Sequence, residues 1–146
     1  MKKTFLTLFL MTTMFGAAYA DGREKPTSVD KLPQAAQEFL SAHFKDLTVA
    51  YAVEEQKYTG KEYEVVYTDR TEIEFRSDGQ WESVGRKYSP VPASIVPQPI
   101  QTFVSGSNYP GQFIRQIDRN AYTWVELSNG LEIKFDNQFN VIDIDD

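Results

Sequence analysis

The chain has no cysteine and a single histidine, His43, among its 146 residues. Without cysteine there is no disulfide framework and no thiol to carry a lipid anchor, so the fold has to be held by its core. One imidazole and no thiolate fall short of the three or four converging ligands that a zinc site needs. They also leave a hydrolytic triad with one candidate base, and a helix-terminal histidine acting on the helix dipole accounts for His43. No glycine-rich loop is present to cradle a phosphate. Basic residues are outnumbered, 15 Lys and Arg against 21 Asp and Glu, and they form no cluster, which excludes the electrostatic footprint of a nucleic-acid binder. The inventory therefore supplies no catalytic residue, no cofactor site and no metal site, and the chain is not read as an enzyme. The carboxylates of Glu62, Glu64, Glu72 and Glu74, and those of Asp143, Asp145 and Asp146, lack the spacing of a calcium loop. They read as the solvated face of a sheet.

Only one apolar run is long, and it lies at the N-terminus. Lys2 and Lys3 precede the mostly apolar stretch from Phe5 to Ala18, and Ala18-Tyr19-Ala20 offers small residues to a signal peptidase. The run is too short for a lasting membrane span. The expectation is a leader over 1–20, cleaved after Ala20, and a soluble exported protein starting near Asp21 in the periplasm or outside the cell. No membrane insertion is expected after cleavage. Lys2 and Lys3 are the only charges of the leader, so its loss moves the net charge from −6 to −8. Aromatic residues make up 14% of the chain, which is incompatible with a disordered polar tract.

What the chain does have is an internal repeat. LPQAAQEFL at 32–40 returns as VPQPIQTFV at 96–104, and TDRTEIEF at 68–75 returns as SNGLEIKF at 128–135. Two copies of about sixty residues are too few and too long for a solenoid and fit two homologous modules. In the first, Ala36, Phe39, Leu40 and Phe44 form an apolar helical stripe behind Pro33. Four strand-like segments follow: 47–53, 63–68, 71–75 and 80–84, the last two joined by the turn signal Ser77-Asp78-Gly79. The second copy has a helix around Ile100, Phe103 and Val104, beginning near Pro99 and stopped by Asn108-Tyr109-Pro110-Gly111. Strands are expected over 112–118, 122–127, 131–135 and 141–144, with Asn129-Gly130 as a hairpin turn. Residues 21–31 read as a flexible lead-in, 32–87 as the first repeat, 88–95 as a proline-rich linker and 96–146 as the second repeat. EEQKYTGK at 54–61 reads as a long polar hairpin connection that shrinks to Arg119-Asn120 in the second copy.

Leu-Pro at a helix start, Tyr-Pro-Gly beyond its end, and the Asp/Asn-x-x-Glu-Ile-x-Phe strand resemble the PepSY-like family of secreted bacterial proteins, over essentially 32–146. Lys45-Asp46 stands where Pro-Gly is usual, and Arg70 where glycine follows the aspartate. The resemblance implies an α+β fold of two tandem modules, each a helix and a four-stranded antiparallel sheet. The architecture is similar to that of the beta-lactamase inhibitor protein, and its two sheets are able to join into one eight-stranded surface. It also implies a binding or inhibitory role in the cell envelope.

The aromatics supply candidate contact residues. Thr123, Val125 and Leu127 alternate onto the core side, which places Tyr122, Trp124 and Glu126 on the open side of the sheet. Exposed Trp and Tyr are frequent anchors of protein interfaces. Tyr58 in the longer hairpin is a companion, and so is Trp81, whose side depends on whether a bulge near the Ser-Asp-Gly turn flips it. The functional expectation is an exported module that binds another envelope or extracellular protein through its open sheet face, for instance as inhibitor of a hydrolase. The alternative is a carrier or sensor for a small ligand or peptide.

Overall fold

The structure, a computed structural model, describes residues 24–106 and 109–146. The leader over 1–20, the start near Asp21 and Asn108 of the second helix stop lie outside the described residues.

Strand β1 spans Glu24–Thr27 and is followed by a 3-10 turn at Val29–Lys31 and helix α1 at Gln34–His43. Strands β2 (Val49–Lys57), β3 (Gly60–Tyr67), β4 (Thr71–Phe75) and β5 (Trp81–Arg86) complete the first module. The second has a 3-10 turn at Ala93–Ile95, helix α2 (Gln98–Ser105), and strands β6 (Ile114–Arg119), β7 (Thr123–Leu127), β8 (Glu132–Phe135) and β9 (Val141–Asp145). All nine strands form one sheet in sequence order, every neighbouring pair antiparallel. The protein is α+β, two tandem repeats whose sheets join where β5 pairs with β6, Val84 opposite Ile117.

Two expectations change. Residues 24–27 are an edge strand rather than part of a flexible lead-in: β1 pairs with β2, Glu24 opposite Glu55 and Thr27 opposite Ala52. Pro26 does not prevent this, because an edge strand has one row of backbone groups that needs no partner. Residues 54–61 are mostly ladder rather than connection. β2 and β3 pair out to Lys57 and Gly60, so only Tyr58 and Thr59 turn the chain. The polar sequence leaves β1 behind at Glu55 and ends as a two-stranded ribbon, crossed by ion pairs of Lys61 with Glu54 and Lys57 with Glu62.

Both helices lie on one face of the sheet, and the repeat motif explains how. Phe39 of α1 meets Phe75 edge-on at 5.8 Å between ring centres, and Phe103 of α2 meets Phe135 in the same way at 5.8 Å. Phe75 and Phe135 are fully buried beside Ile73, Val84, Ile117, Val125 and Ile133, which form the row beneath the helices. Burying one such side chain stabilises by about 1.5–3 kcal/mol. The repeated glutamine caps the turn before each helix: the Gln37 amide donates to Leu32 O at 2.8 Å, and that of Gln101 to Val96 O at 2.8 Å. Pro33 and Pro97 precede the first helical residues, and Pro99 fits within the first turn of α2, so the helix starts before it.

Hairpin turns match as well. Asp69 and Asn129 each accept a hydrogen bond from the amide two residues on, as do Asp78 and Asp136. Each of these turns contains a left-handed residue: Arg70 (φ 67°) and Gly130 (φ 91°) in one pair, Gly79 (φ 83°) and Phe139 (φ 61°) in the other. At Gly79 a side chain would also collide with the start of α1, since a Cβ there would lie 2.8 Å from Pro33 Cβ.

Candidate functional site

The helices leave the other face of the sheet uncovered, and its residues follow from the register. Trp81 is not among them. The ladder of β4 and β5 slips between Glu74 and Phe75, which sets Trp81 opposite Phe75 on the helix face. It is 8% exposed and stacks on Phe39 at 5.9 Å. The Arg119 guanidinium lies 3.8 Å from its ring centre and donates to its backbone oxygen. Trp81 is therefore a core residue, and its assignment to a contact surface is corrected: the bulge spends the extra residue on turning it inward.

Tyr122 and Trp124 do come together on the open face. Tyr122 is 42% exposed and Trp124 half-buried. The Lys134 ammonium from β8 sits 4.1 Å from the Tyr122 ring centre and 4.9 Å from that of Trp124, joining the two aromatics through cation–π contact. Glu126, two residues along β7, is held by the Arg115 guanidinium. Tyr58 is fully exposed at the tip of the β2–β3 ribbon. Four strand spacings, about 19 Å, separate β3 from β7, so the fold does not bring Tyr58 into the Tyr122–Trp124 cluster.

Between these lies a feature the alternation pattern disclosed only in part. Glu64 faces Glu74 across β3 and β4, Glu74 faces Ser83 across β4 and β5, Ser83 faces Asp118 across β5 and β6, and Asp118 faces Trp124. One row across the centre of the open face thus carries three carboxylates, with Glu72 in the next row opposite Val66 and Gly85. These side chains are not simply solvated. Burial, then repulsion from Glu72 and other acids, pushes Glu64 up to about 7. Burial, then Glu64 and Asp118, takes Glu74 up to about 7 despite the opposing pull of Lys57. Glu72 also rises to about 7, through burial and then Glu74, with Arg70 acting against it. Asp118 is only 6% exposed, and burial raises it to about 6 although Ser83 and Gln116 counteract. Gln116 donates to Asp118 Oδ2 at 3.0 Å, while Asp118 Oδ1 and Ser83 Oγ are buried without a hydrogen-bond partner.

Beside this row, Gly85 lacks a side chain and opens a hollow of about 350 Å³ lined by Arg70, Glu72, Lys87, Arg115 and Glu126. His43 lies elsewhere, between the helix end and the linker, with Nδ1 3.2 Å from Ser94 Oγ and its ring against Phe39. Among the described residues no carboxylate bonds to that pair, so the imidazole has no orienting third member of a triad. No group of three or more His, Asp or Glu among the described residues is placed to hold a metal ion.

A tandem helix-and-sheet fold with an open, acidic sheet face defines the class, and comparison with known proteins places it. The family described as "Putative beta-lactamase-inhibitor-like, PepSY-like" matches twice, over residues 18–65 and 61–143. The chain belongs to this family. Among solved structures, it is similar to a putative periplasmic protein from Bacteroides vulgatus, with 46% identity, a TM-score of 0.80, and 84% of this chain and 97% of that one covered. A putative calcium-regulated periplasmic protein from Bacteroides thetaiotaomicron matches at 43% identity and TM-score 0.80 over 84% and 97% of the two chains. A further putative periplasmic protein of unknown function from Bacteroides vulgatus matches at 34% identity and TM-score 0.78 over 84% and 99%. No match was found among curated proteins.

Proposed function

We propose that the protein is a periplasmic protein-binding module that docks its partner on the open face of the sheet. The observation behind this reading is the uncovered row running from Glu64 through Asp118 to Trp124. It joins strongly perturbed carboxylates to partly exposed aromatics. Carboxylates held near neutral pKa weaken the fold on their own, so a sequence that keeps them gains most when something covers and neutralises them. Tyr122 and Trp124 add the aromatic area that anchors interfaces. Inhibition of a hydrolase by occlusion is the form of binding that the family's inhibitor-like architecture suggests.

Replacing Tyr122 and Trp124 together by alanine should weaken capture of the partner from periplasmic extract at least tenfold. The melting temperature should move by no more than about 2 °C, as for surface substitutions. Undiminished capture, or loss of the fold, would remove these residues from the interface.

A carrier for a small ligand is the second reading, and the hollow over Gly85 is what favours it. Its walls are mostly the stems of charged side chains and it lies open to solvent, so it would enclose little of a small ligand, and the docking reading is preferred. Calcium enters through the name of the Bacteroides thetaiotaomicron protein. Calcium needs several converging oxygen ligands, so the expected result is a melting temperature unmoved by either calcium or a chelator.

A further inference from the structure

We propose that Glu74, Ser83 and Asp118, at the junction of the two modules, form a subsite for one cationic side chain, a lysine or arginine, presented by the protein that docks on the open face. The proposal rests on that docking reading and adds the chemistry of the partner to it.

The first reason is unsatisfied polarity. Ser83 is 1% exposed and Asp118 6% exposed, yet Ser83 Oγ and Asp118 Oδ1 have no hydrogen-bond partner. The register turns both toward the open face, in the row that also holds Glu74 and Glu64. A buried acceptor without a donor is rare in a folded protein and points to a partner. The Ser83 hydroxyl can turn its one proton toward Asp118, which leaves lone pairs on both oxygens, and ammonium and guanidinium groups carry only donors, three and five of them, to meet those lone pairs.

The second reason is that the neighbouring cations are engaged elsewhere. Lys57 pairs with Glu55 and Glu62 on the ribbon. Arg119 covers Trp81 and donates to its backbone, while Arg76 donates through one terminal nitrogen to Arg119 O and keeps its buried Nε without a partner. Lys134 lies over Tyr122 and Trp124, and Arg115 holds Glu126. Among the described residues, Glu64, Glu74 and Asp118 have no ion pair within 4.0 Å. A metal ion is the poorer occupant, because no three acidic or histidine side chains among the described residues are placed to ligate one.

The groups facing Asp118 also predict when the subsite is filled. Glu74 acts from β4, Ser83 and Glu82 from β5, Gln116 from its own strand, and Trp124 and Glu126 from β7, with Lys134 beyond Trp124 on β8. Burial holds Asp118 near 6 and Glu74 near 7, so a cation is retained at pH 8 and released as both carboxyls take up protons by pH 5.

The test is a titration of the 15N-labelled protein followed by amide chemical shifts. The probes are acetyl-Gly-Lys-Gly-amide, its neutral counterpart acetyl-Gly-norleucine-Gly-amide, and calcium chloride. At pH 8 the lysine peptide should give saturable shifts at Ser83 and Asp118, and the norleucine peptide should not. Asp118→Asn should weaken binding at least tenfold, as should a change to pH 5, and Ser83→Ala should weaken it while leaving every carboxylate in place. Three results would overturn the proposal: no shift with the lysine peptide, equal shifts with norleucine, or shifts at these amides from calcium alone. Any of them leaves the docking face itself standing, since contact of a partner with Tyr122 is measured independently of Asp118.

Discussion

Glu74→Gln should make the protein more stable, and only where the carboxyl is ionised. Glu74 sits between Glu64 and Ser83 on the open face and is held at about 7 against an ordinary 4.5. At about 1.36 kcal/mol for each tenfold change in proton affinity, ionising it in the fold costs roughly 3 kcal/mol more than in the unfolded chain. Part of that cost is repulsion from Glu64, shared between the two, so glutamine should recover about 1–2 kcal/mol. The sign follows from the raised value: the penalty is complete above about pH 7, shrinks as pH falls, and is nearly gone at 4.5. For a domain of this size the gain corresponds to a melting temperature higher by about 5 °C at pH 8. Thermal unfolding followed by circular dichroism at pH 8 and pH 4.5 gives the comparison, and the parent protein should itself gain stability on acidification from pH 8 to 5.5. An unchanged or lower melting temperature at pH 8, or an equal gain at both pH values, would refute the reading of Glu74 as an ionised group under repulsion.

Two further substitutions separate the faces of the sheet. Trp81→Ala should destabilise by about 3–5 kcal/mol, as for a large core aromatic, and denaturant unfolding will show it. The contrast with Trp124, whose loss should spare stability, is the experimental form of the bulge between β4 and β5. Gly79→Ala should cost at least about 1–2 kcal/mol from its left-handed backbone alone. It should cost more from the contact of the new Cβ with Pro33, and urea midpoints measure the sum.

Much of the architecture was legible because the chain states it twice. The Leu-Pro and Val-Pro helix starts, the Phe39 and Phe103 positions, and the alternation in 71–75 each had a second copy to confirm the period, and the elements fall where that period puts them. The strand at 24–27 is not legible in the sequence because it has no apolar alternation: it is a strand only because β2 offers an unpaired edge. Trp81 was ambiguous for a similar reason, since one inserted residue reverses every later side chain and sequence does not display a bulge. The acidic row was visible only in part. Glu64, Glu72 and Glu74 were legible as one face, but burial of that face depends on which strands neighbour it. Asp118 joins it through the β5–β6 pairing between modules, a contact of residues 35 apart that no local pattern encodes. Ser83, small and polar in a strand, had no signal beyond its alternation with Val84.

The central claim is that a partner occupies the open face and not the helices. A photoreactive phenylalanine analogue placed at Tyr122, and separately at the exposed helix positions Glu38 and Thr102, tests it directly in intact cells. Cross-linked adducts should form from position 122 and fail to form from 38 and 102. Adducts from the helix positions with none from 122 would contradict the account.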